Sequence, residues 1–417
     1  MTPAPEKQIP VMSGQYLKEF VDGFLKRRSF FCDLVRNFGS PLYVLEEAVL
    51  KTRAQGFKTA MSNQFPDSGF YFAMKSNNLP HVSNVLLDQG FGLDVSSGME
   101  LSKALGLGSK DIIFSGPGKT MAELELAVEN YKKVTVLIDS EGELHRLAGI
   151  AKEKNKPVHV GLRLNTKPEG LWQKFGILLD ELGPLYNRIR ESSHMIFSGL
   201  QFHSSWNLDP GRQASFIKIL GRYLATMPDQ FIEDLQFIDI GGGYWPSQGE
   251  WLVSEWPLTH HRIPAVSIEG FAVCLALAME THIFPLKRCR VCFEPGRWIC
   301  NDAMHILMQV VDCKKKDLVI TDAGTNAIGW ERFETDYFPV INLTQPMPEE
   351  KSCHILGSLC TPHDVWGYAY FGKAISEGDV LMIPTQGAYT YSLRQSFIKS
   401  LPRTIAVDES GSPFSLD

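Results

Sequence analysis

The residues able to do chemistry in this 417-residue chain stand where apolar runs end. Lys75 follows Phe72-Ala73-Met74, and His203 follows Gly199-Leu200-Gln201-Phe202. Gly241-Gly242-Gly243 follows Phe237-Ile238-Asp239-Ile240, and Glu294-Pro295-Gly296-Arg297 follows Val291-Cys292-Phe293. A lysine amine withdrawn from water loses basicity and can form a Schiff base with an aldehyde. Successive glycines cost backbone entropy, so they mark a close approach of main chain to a ligand, and their N–H groups suit a phosphate. Gly296 and Arg297 would close the same pocket, the guanidinium serving as a further donor or as a clamp on a substrate carboxylate. Glu294, a carboxylate ending an apolar run, needs a partner: a protonated ring nitrogen, or Arg297. His203 can lie flat against such a ring. Singly, each has a plain structural reading: a solvated lysine, a tight turn, a structural histidine. Jointly an aldehyde, a phosphate, a ring nitrogen and a flat heterocycle describe pyridoxal 5′-phosphate.

Eight strand-like runs position these residues: 70–74, 91–95, 111–115, 134–138, 158–164, 197–203, 235–240 and 290–294. Amphipathic segments separate them, such as Thr120–Tyr131, where Thr120 and Glu123 have capping-box spacing. Strands alternating with helices predict a parallel sheet, and eight units predict closure into a (β/α)8, TIM-like barrel. Such a barrel carries its chemistry at the C-terminal ends of its strands. The stretch 244–265, with Trp245, Trp251 and Trp256, reads as an irregular insertion after the seventh strand. Beyond residue 300 the pattern becomes strands and turns, at 303–311, 318–322, 354–357 and 379–384. The expected fold is α/β: a barrel over 44–300, and a β-rich C-terminal domain over 301–417 completed by residues 1–43, which open a short strand at Pro41–Leu45.

Hydrophobic residues make up 44% of the chain and charged residues 21%, which supports a folded core rather than disorder. A net charge of −6 without a basic run argues against nucleic acid. The N-terminus has no apolar stretch of signal-peptide type, and the run Phe271–Met279 is too short to cross a bilayer. The eight cysteines lack framework spacing, which fits reduced thiols and a cytoplasmic location. Cys289-x-x-Cys292 with Cys300 has no second pair, so no metal site is expected.

The chain resembles the alanine-racemase-fold amino acid decarboxylases, the diaminopimelate, ornithine and arginine decarboxylase family. The motifs are Tyr71–Lys75, Asp94–Gly98, Phe114–Gly118, Lys174–Ile177, Asp239–Gly243, Glu294–Arg297, Cys360–Asp364 and Gly387–Tyr389. The resemblance implies Lys75 as the cofactor lysine, His203 stacked on its ring and Glu294 on its nitrogen. It implies Gly241 to Gly243, Gly296, Arg297 and Tyr389 around the phosphate. It also implies that Cys360, supplied by a partner subunit, reprotonates the carbanion left by CO2, and hence an obligate homodimer. A thiol suits that donation, its reference pKa of ~8.5 lying near working pH. Two departures bear on the substrate. Thr361 stands where family members acting on diamino acids often have Asp or Glu, and Ser204-Ser205-Trp206 replaces a common Gly-Ser pair, with Ser205 the expected substitute. Arg332, Glu334, Thr361 and Asp364 are the expected substrate contacts. The form Leu359-Cys360-Thr361-Pro362 is more similar to decarboxylases of siderophore and specialised-metabolite pathways, which act on conjugated or unusual amino acids.

Two other functions fit the fold: an amino acid racemase or epimerase, and a non-catalytic homologue. Racemases of this fold generally set arginine against the ring nitrogen, a weaker electron sink than Glu294 would make. Retention of both Lys75 and Cys360 disfavours the non-catalytic reading.

Overall fold

The protein, in a computed structural model, is described over residues 9–254, 258–329 and 336–417. Its strands in chain order are β1 Leu42–Glu46, β2 Ser68–Ala73, β3 Gly92–Val95, β4 Ile112–Phe114, β5 Val134–Ile138 and β6 Val158–Leu164. Then come β7 Met195–Phe202, β8 Phe237–Asp239, β9 Glu250–Ser254, β10 Thr259–Ile263, β11 Arg290–Phe293 and β12 Met304–Lys315. The last are β13 Leu318–Thr321, β14 Ile341–Asn342, β15 Glu350–Leu356, β16 Val365–Phe371, β17 Val380–Ile383, β18 Arg403–Val407 and β19 Pro413–Ser415. Two compact units result: residues 51–247 with 265–299, and residues 1–50 with 248–264 and 300–417.

The first unit is the barrel. Strands β2 to β8 and β11 close in the order β11-β2-β3-β4-β5-β6-β7-β8, each neighbouring pair parallel. All eight expected strands are present, and β5 and β6 keep the expected bounds. Tyr71, Ile113, Leu137 and Cys292 form an apolar layer inside, with Phe237 against them. Gly161 and Gly199 make room for it: a Cβ at either would sit 2.7 Å from Leu137 or 2.5 Å from the Phe237 carbonyl oxygen. Outside the strands, Phe57 meets Phe70, Phe293 and Trp298 edge-on, with centroids 5.6–6.2 Å apart. Each such fully buried ring contributes about 2–3 kcal/mol. Helix Met121–Glu129 begins with the expected capping box of Thr120 and Glu123, and Glu123 also accepts from the Gly98 N–H. Ser97 and Ser140 cap two further barrel helices, each cap being worth about 1 kcal/mol.

The second unit is a nine-stranded sheet, ordered β13-β15-β16-β14-β17-β12-β1-β18-β19. Here the N-terminal segment brings two helices, Gly14–Leu25 and Arg28–Phe38, as well as β1. Val21, Phe31 and Leu34 from those helices pack with Leu42, Leu307, Ile341 and Ile405. β1 lies antiparallel to β12 and parallel to β18, so residues 44–46 go with this sheet rather than with the barrel. The stretch read as an irregular insertion is in fact ordered over 250–254 and 259–263 as the hairpin β9–β10. Trp251 explains its placement: it is buried, with the Phe20 ring 4.8 Å away. Among the described residues no helix is long and apolar enough to cross a membrane, and no group of His, Cys, Asp and Glu could hold a metal ion.

Candidate active site

Above the apolar layer the barrel interior turns polar. Asp94 of β3, Arg163 of β6, Gln201 of β7 and Asp239 of β8 each sit one residue from, or at, the end of an otherwise apolar strand. Arg163 pairs in register with Gln201, and Gln201 with Asp239, so their inward side chains form one layer. All four are buried, Asp94 and Asp239 completely. Burial of polar groups on that scale is costly unless they serve one another or a ligand.

Lys75 lies in a single 3-10 turn, Met74–Ser76, directly after β2. Its Nζ is 2.8 Å from Asp94 Oδ2 and 3.5 Å from Ser96 Oγ. The other Asp94 oxygen accepts from Ser115 Oγ at 2.5 Å. Ser96 is fixed in turn, its N–H donating to Glu100 Oε2 at 2.7 Å.

His203 follows β7. Its Nδ1 accepts from the Gly242 N–H at 3.1 Å, which leaves Nε2–H to donate to Ser205 Oγ at 3.3 Å. Burial, with Lys75 and Arg163 nearby, holds its pKa well below the usual histidine value. The ring is therefore neutral and fixed in one tautomer.

Glu294 follows β11 and is fully enclosed. The Gln201 amide donates to its two oxygens at 3.3 and 3.4 Å, and Nδ1 of His203 is 3.9 Å away. Burial first, then the neighbouring Asp239 and Asp94, raises its pKa well above the ordinary carboxylate range. Burial and Asp94 push Asp239 up as well, although its Oδ1 accepts from the Gly241 N–H at 2.8 Å. Among the described residues, Oδ2 of Asp239 and Oε1 of Gln201 have no hydrogen-bond partner. This surplus of buried acceptors around Glu294 fits a protonated aromatic nitrogen, which supplies the missing donor and positive charge.

The glycine run is required by its geometry. Gly241 and Gly243 have φ of +74° and +84°, which disfavours other residues. A Cβ on Gly242 would sit 2.2 Å from the Glu294 carbonyl oxygen. The loop is thus pressed against the end of β11, and the Glu294 N–H donates to the Gly241 carbonyl at 3.0 Å. Gly296 approaches the Lys75 turn as closely, a Cβ there lying 2.7 Å from Ser76 Oγ. Arg297 lies over Trp245 and Trp206, 4.4 and 5.5 Å from their ring centroids. Trp206 therefore packs beside that guanidinium, at a φ of +60°.

The barrel unit accordingly brings together Lys75, His203, Ser205, Gly241, Gly242, Gly243, Glu294, Gly296 and Arg297. The remaining expected residues lie in the β-rich unit. Cys360 is exposed on the turn between β15 and β16. Thr361 shapes that turn, its Oγ1 accepting from the His363 N–H at 3.4 Å. Asp364, expected at the substrate, is instead buried as the anchor of the turn. It accepts from Thr325 N–H at 2.6 Å, Thr325 Oγ1 at 2.9 Å and Leu359 N–H at 2.7 Å. Tyr389 has a φ of +61°, uncommon for a bulky residue, in the turn after β17. Arg332 and Glu334 lie outside the described residues. The reading of the sequence gave no role to Arg163, Gln201 or Ser115, and noted Asp94 and Asp239 only within motifs. The available signal was a polar residue at an inward position of an apolar strand.

Residues 52–301 match the family described as "Pyridoxal-dependent decarboxylase, pyridoxal binding domain". The chain is 26% identical over 392 residues to a diaminopimelate decarboxylase of Methanothermobacter thermautotrophicus, covering 90% of this chain and 88% of the relative. It is 26% identical over 360 residues to a 2-[(L-alanin-3-ylcarbamoyl)methyl]-2-hydroxybutanedioate decarboxylase of Staphylococcus aureus, covering 80% and 85%. The fold is shared with the crystal structure of a diaminopimelate decarboxylase variant from Helicobacter pylori in complex with L-lysine. That likeness has a TM-score of 0.78 at 22% identity, over 92% of this chain and 95% of the other. With a lysine, a neutral histidine, an enclosed glutamate and a glycine cradle at one barrel mouth, the chain belongs to the pyridoxal-dependent decarboxylases, enzymes that work with pyridoxal 5′-phosphate.

Proposed function

We propose that this enzyme removes the α-carboxylate of a conjugated or otherwise unusual amino acid, and that two copies of the chain share their sites. The observation that carries the reading is the enclosure of Glu294 by Gln201, Asp239 and His203 at the same barrel mouth as Lys75.

When bound, pyridoxal 5′-phosphate supplies a ring that accepts the electron pair left behind by departing CO2. The chain's own residues do the rest. Lys75 would hold the cofactor, and Asp94, whose Oδ2 is 2.8 Å from Lys75 Nζ, would keep the lysine amine in position. Glu294 keeps a proton at the ring nitrogen, where preorganised charge matters most. His203, neutral and locked by Gly242 and Ser205, covers one ring face without adding a competing positive charge. Gly241 to Gly243, Gly296 and Arg297 would hold the phosphate.

Cys360 of a second copy donates the proton that replaces the carboxylate on Cα. Its exposure on a rigid turn supports a role toward a neighbouring chain. Thr361 beside it offers no anion to a distal ammonium, which favours a substrate other than a simple diamino acid. The Staphylococcus aureus relative, named for a substrate with a hydroxybutanedioate end, supports the same direction. The test is a screen of D- and L-amino acids, diamino acids and citrate-type conjugates for CO2 release by the cofactor-loaded enzyme. Racemised amino acid without CO2 would contradict the proposal.

A further inference from the structure

Asn207 is buried beside the glycine run, and each of its polar groups is used there. Its side-chain amide donates to the Ser204 carbonyl at 2.8 Å and to the Gly242 carbonyl at 3.0 Å, and its Oδ1 accepts from Ser204 Oγ at 3.0 Å. Its N–H donates to the Gly243 carbonyl at 3.0 Å, and its own carbonyl accepts from the Trp245 N–H at 3.3 Å. The segment after His203 is thus joined to the glycine run through one residue. Fit is close on the other side too: a Cβ on Gly243 would lie 2.8 Å from the Asn207 amide nitrogen.

Two consecutive carbonyls, those of Gly242 and Gly243, therefore face Asn207. In a trans peptide the N–H points opposite to the C=O, so the N–H groups of Gly243 and Tyr244 are turned away from Asn207. Among the described residues neither of these N–H groups donates to an acceptor. The Gly241 and Gly242 N–H groups, by contrast, are already spent on Asp239 Oδ1 and His203 Nδ1. Tyr244 is buried, so an N–H left without an acceptor there is costly unless a ligand supplies one. Successive unpaired N–H groups around a left-handed glycine form an anion-binding concavity. Trp206 and Trp245 flank the Asn207–Tyr244 bridge, their ring centroids 5.5 Å apart, and cover it.

We infer that Asn207 is a positioning residue of the cofactor's phosphate site. It acts through the backbone: by holding the Gly242 and Gly243 carbonyls, it keeps the Gly243 and Tyr244 N–H groups aimed at the phosphate. This rests on the reading of the glycine run as the phosphate cradle, and narrows it to two named donors.

The test compares two ligands of the full chain stripped of cofactor: pyridoxal 5′-phosphate, and pyridoxal, which has the same aldehyde and ring but no phosphate. Affinity is read from quenching of tryptophan fluorescence and from growth of the visible band. Wild type should prefer the phosphorylated ligand. Asn207→Ala should weaken that ligand by about tenfold, the scale of one hydrogen bond to a charged group, and leave pyridoxal unchanged. Equal losses for the two ligands, or undiminished affinity for pyridoxal 5′-phosphate, would overturn the role of Asn207. Should Asn207→Ala not fold, Ser204→Ala decides, because it removes only the hydroxyl that orients Asn207 Oδ1. The same one-sided loss, by about threefold, is then expected, and no loss would overturn the inference. A wild type that binds the two ligands equally well would remove the cradle itself and the inference with it. A wild type that prefers the phosphate, beside an Asn207→Ala that keeps the full preference, would remove Asn207 alone.

Discussion

Asp94 grips Lys75 with one carboxylate oxygen and Ser115 with the other, at 2.8 and 2.5 Å. The anion cannot swing away from the amine, because Ser115 fixes it from the far side. Asp94→Asn keeps the shape and removes the charge. Cofactor should still bind, but exchange between Lys75 and the substrate amine should slow by about 10²-fold, a typical loss for one acid–base partner. Stopped-flow measurement of the visible band on mixing with substrate checks this, and an unchanged rate would remove Asp94 from the exchange.

The raised pKa of Glu294 makes stability of the cofactor-free protein depend on pH. An unfolded glutamate ionises near ~4.3, whereas the folded, enclosed Glu294 retains its proton above that. Stability is therefore greatest below the unfolded value and is lost as pH rises toward the folded one. Asp239 acts in the same sense. His203 acts in the opposite sense: its depressed folded pKa costs stability as pH falls below ~6.5, where the unfolded histidine binds a proton first. Glu294→Gln should raise Tm of cofactor-free protein at pH 8 by about 3 °C and flatten the decline between pH 5 and 8. Thermal scans across that range measure it.

Most of the barrel was legible in the sequence because parallel strands covered on both faces are nearly continuous apolar runs. β5 and β6 were placed to the residue for that reason. Lys75, His203 and Glu294 were visible because each is a polar residue immediately after such a run. Asp94, Arg163, Gln201 and Asp239 were harder to assign, since they lie within the runs and only the alternation of inward positions distinguishes them. The hairpin β9–β10 was not legible: its strand signal rests on Trp251 packing against Phe20, a contact set by tertiary structure and not by local periodicity. The role of Asp364 was misread for a related reason. It was expected at the substrate as a member of the Cys360–Asp364 motif, while Gly357, where a Cβ would lie 2.2 Å from the Asp364 carboxylate, reveals how tightly the turn is packed on it.

Asp364→Ala removes one acceptor of three hydrogen bonds, from Thr325 N–H, Thr325 Oγ1 and Leu359 N–H. The expected cost is about 3 kcal/mol, near the sum of ordinary net hydrogen-bond contributions. Denaturant unfolding of wild type and variant reads it directly, and a change below about 1 kcal/mol would show that the turn does not depend on this anchor.

Cys360→Ala should preserve the visible cofactor band and slow turnover, with protonation of Cα redirected to solvent. Product formed in deuterium oxide, analysed for its configuration at Cα, reports the redirection. If the site is completed by a second chain, mixing Cys360→Ala with Lys75→Ala protein should restore activity to about a quarter of wild type, the statistical share of sites that are intact in a mixed dimer population. No recovery on mixing would place both residues in a single chain's site.

The most direct test of the account is CO2 release measured together with the visible spectrum, on purified, cofactor-loaded wild type and Lys75→Ala. The expected result is a lysine–cofactor absorption band in the wild type and CO2 from a conjugated or otherwise unusual amino acid, with both absent in Lys75→Ala. A wild type that shows the band but releases no CO2 across that screen, or a Lys75→Ala variant that keeps the band, would contradict it.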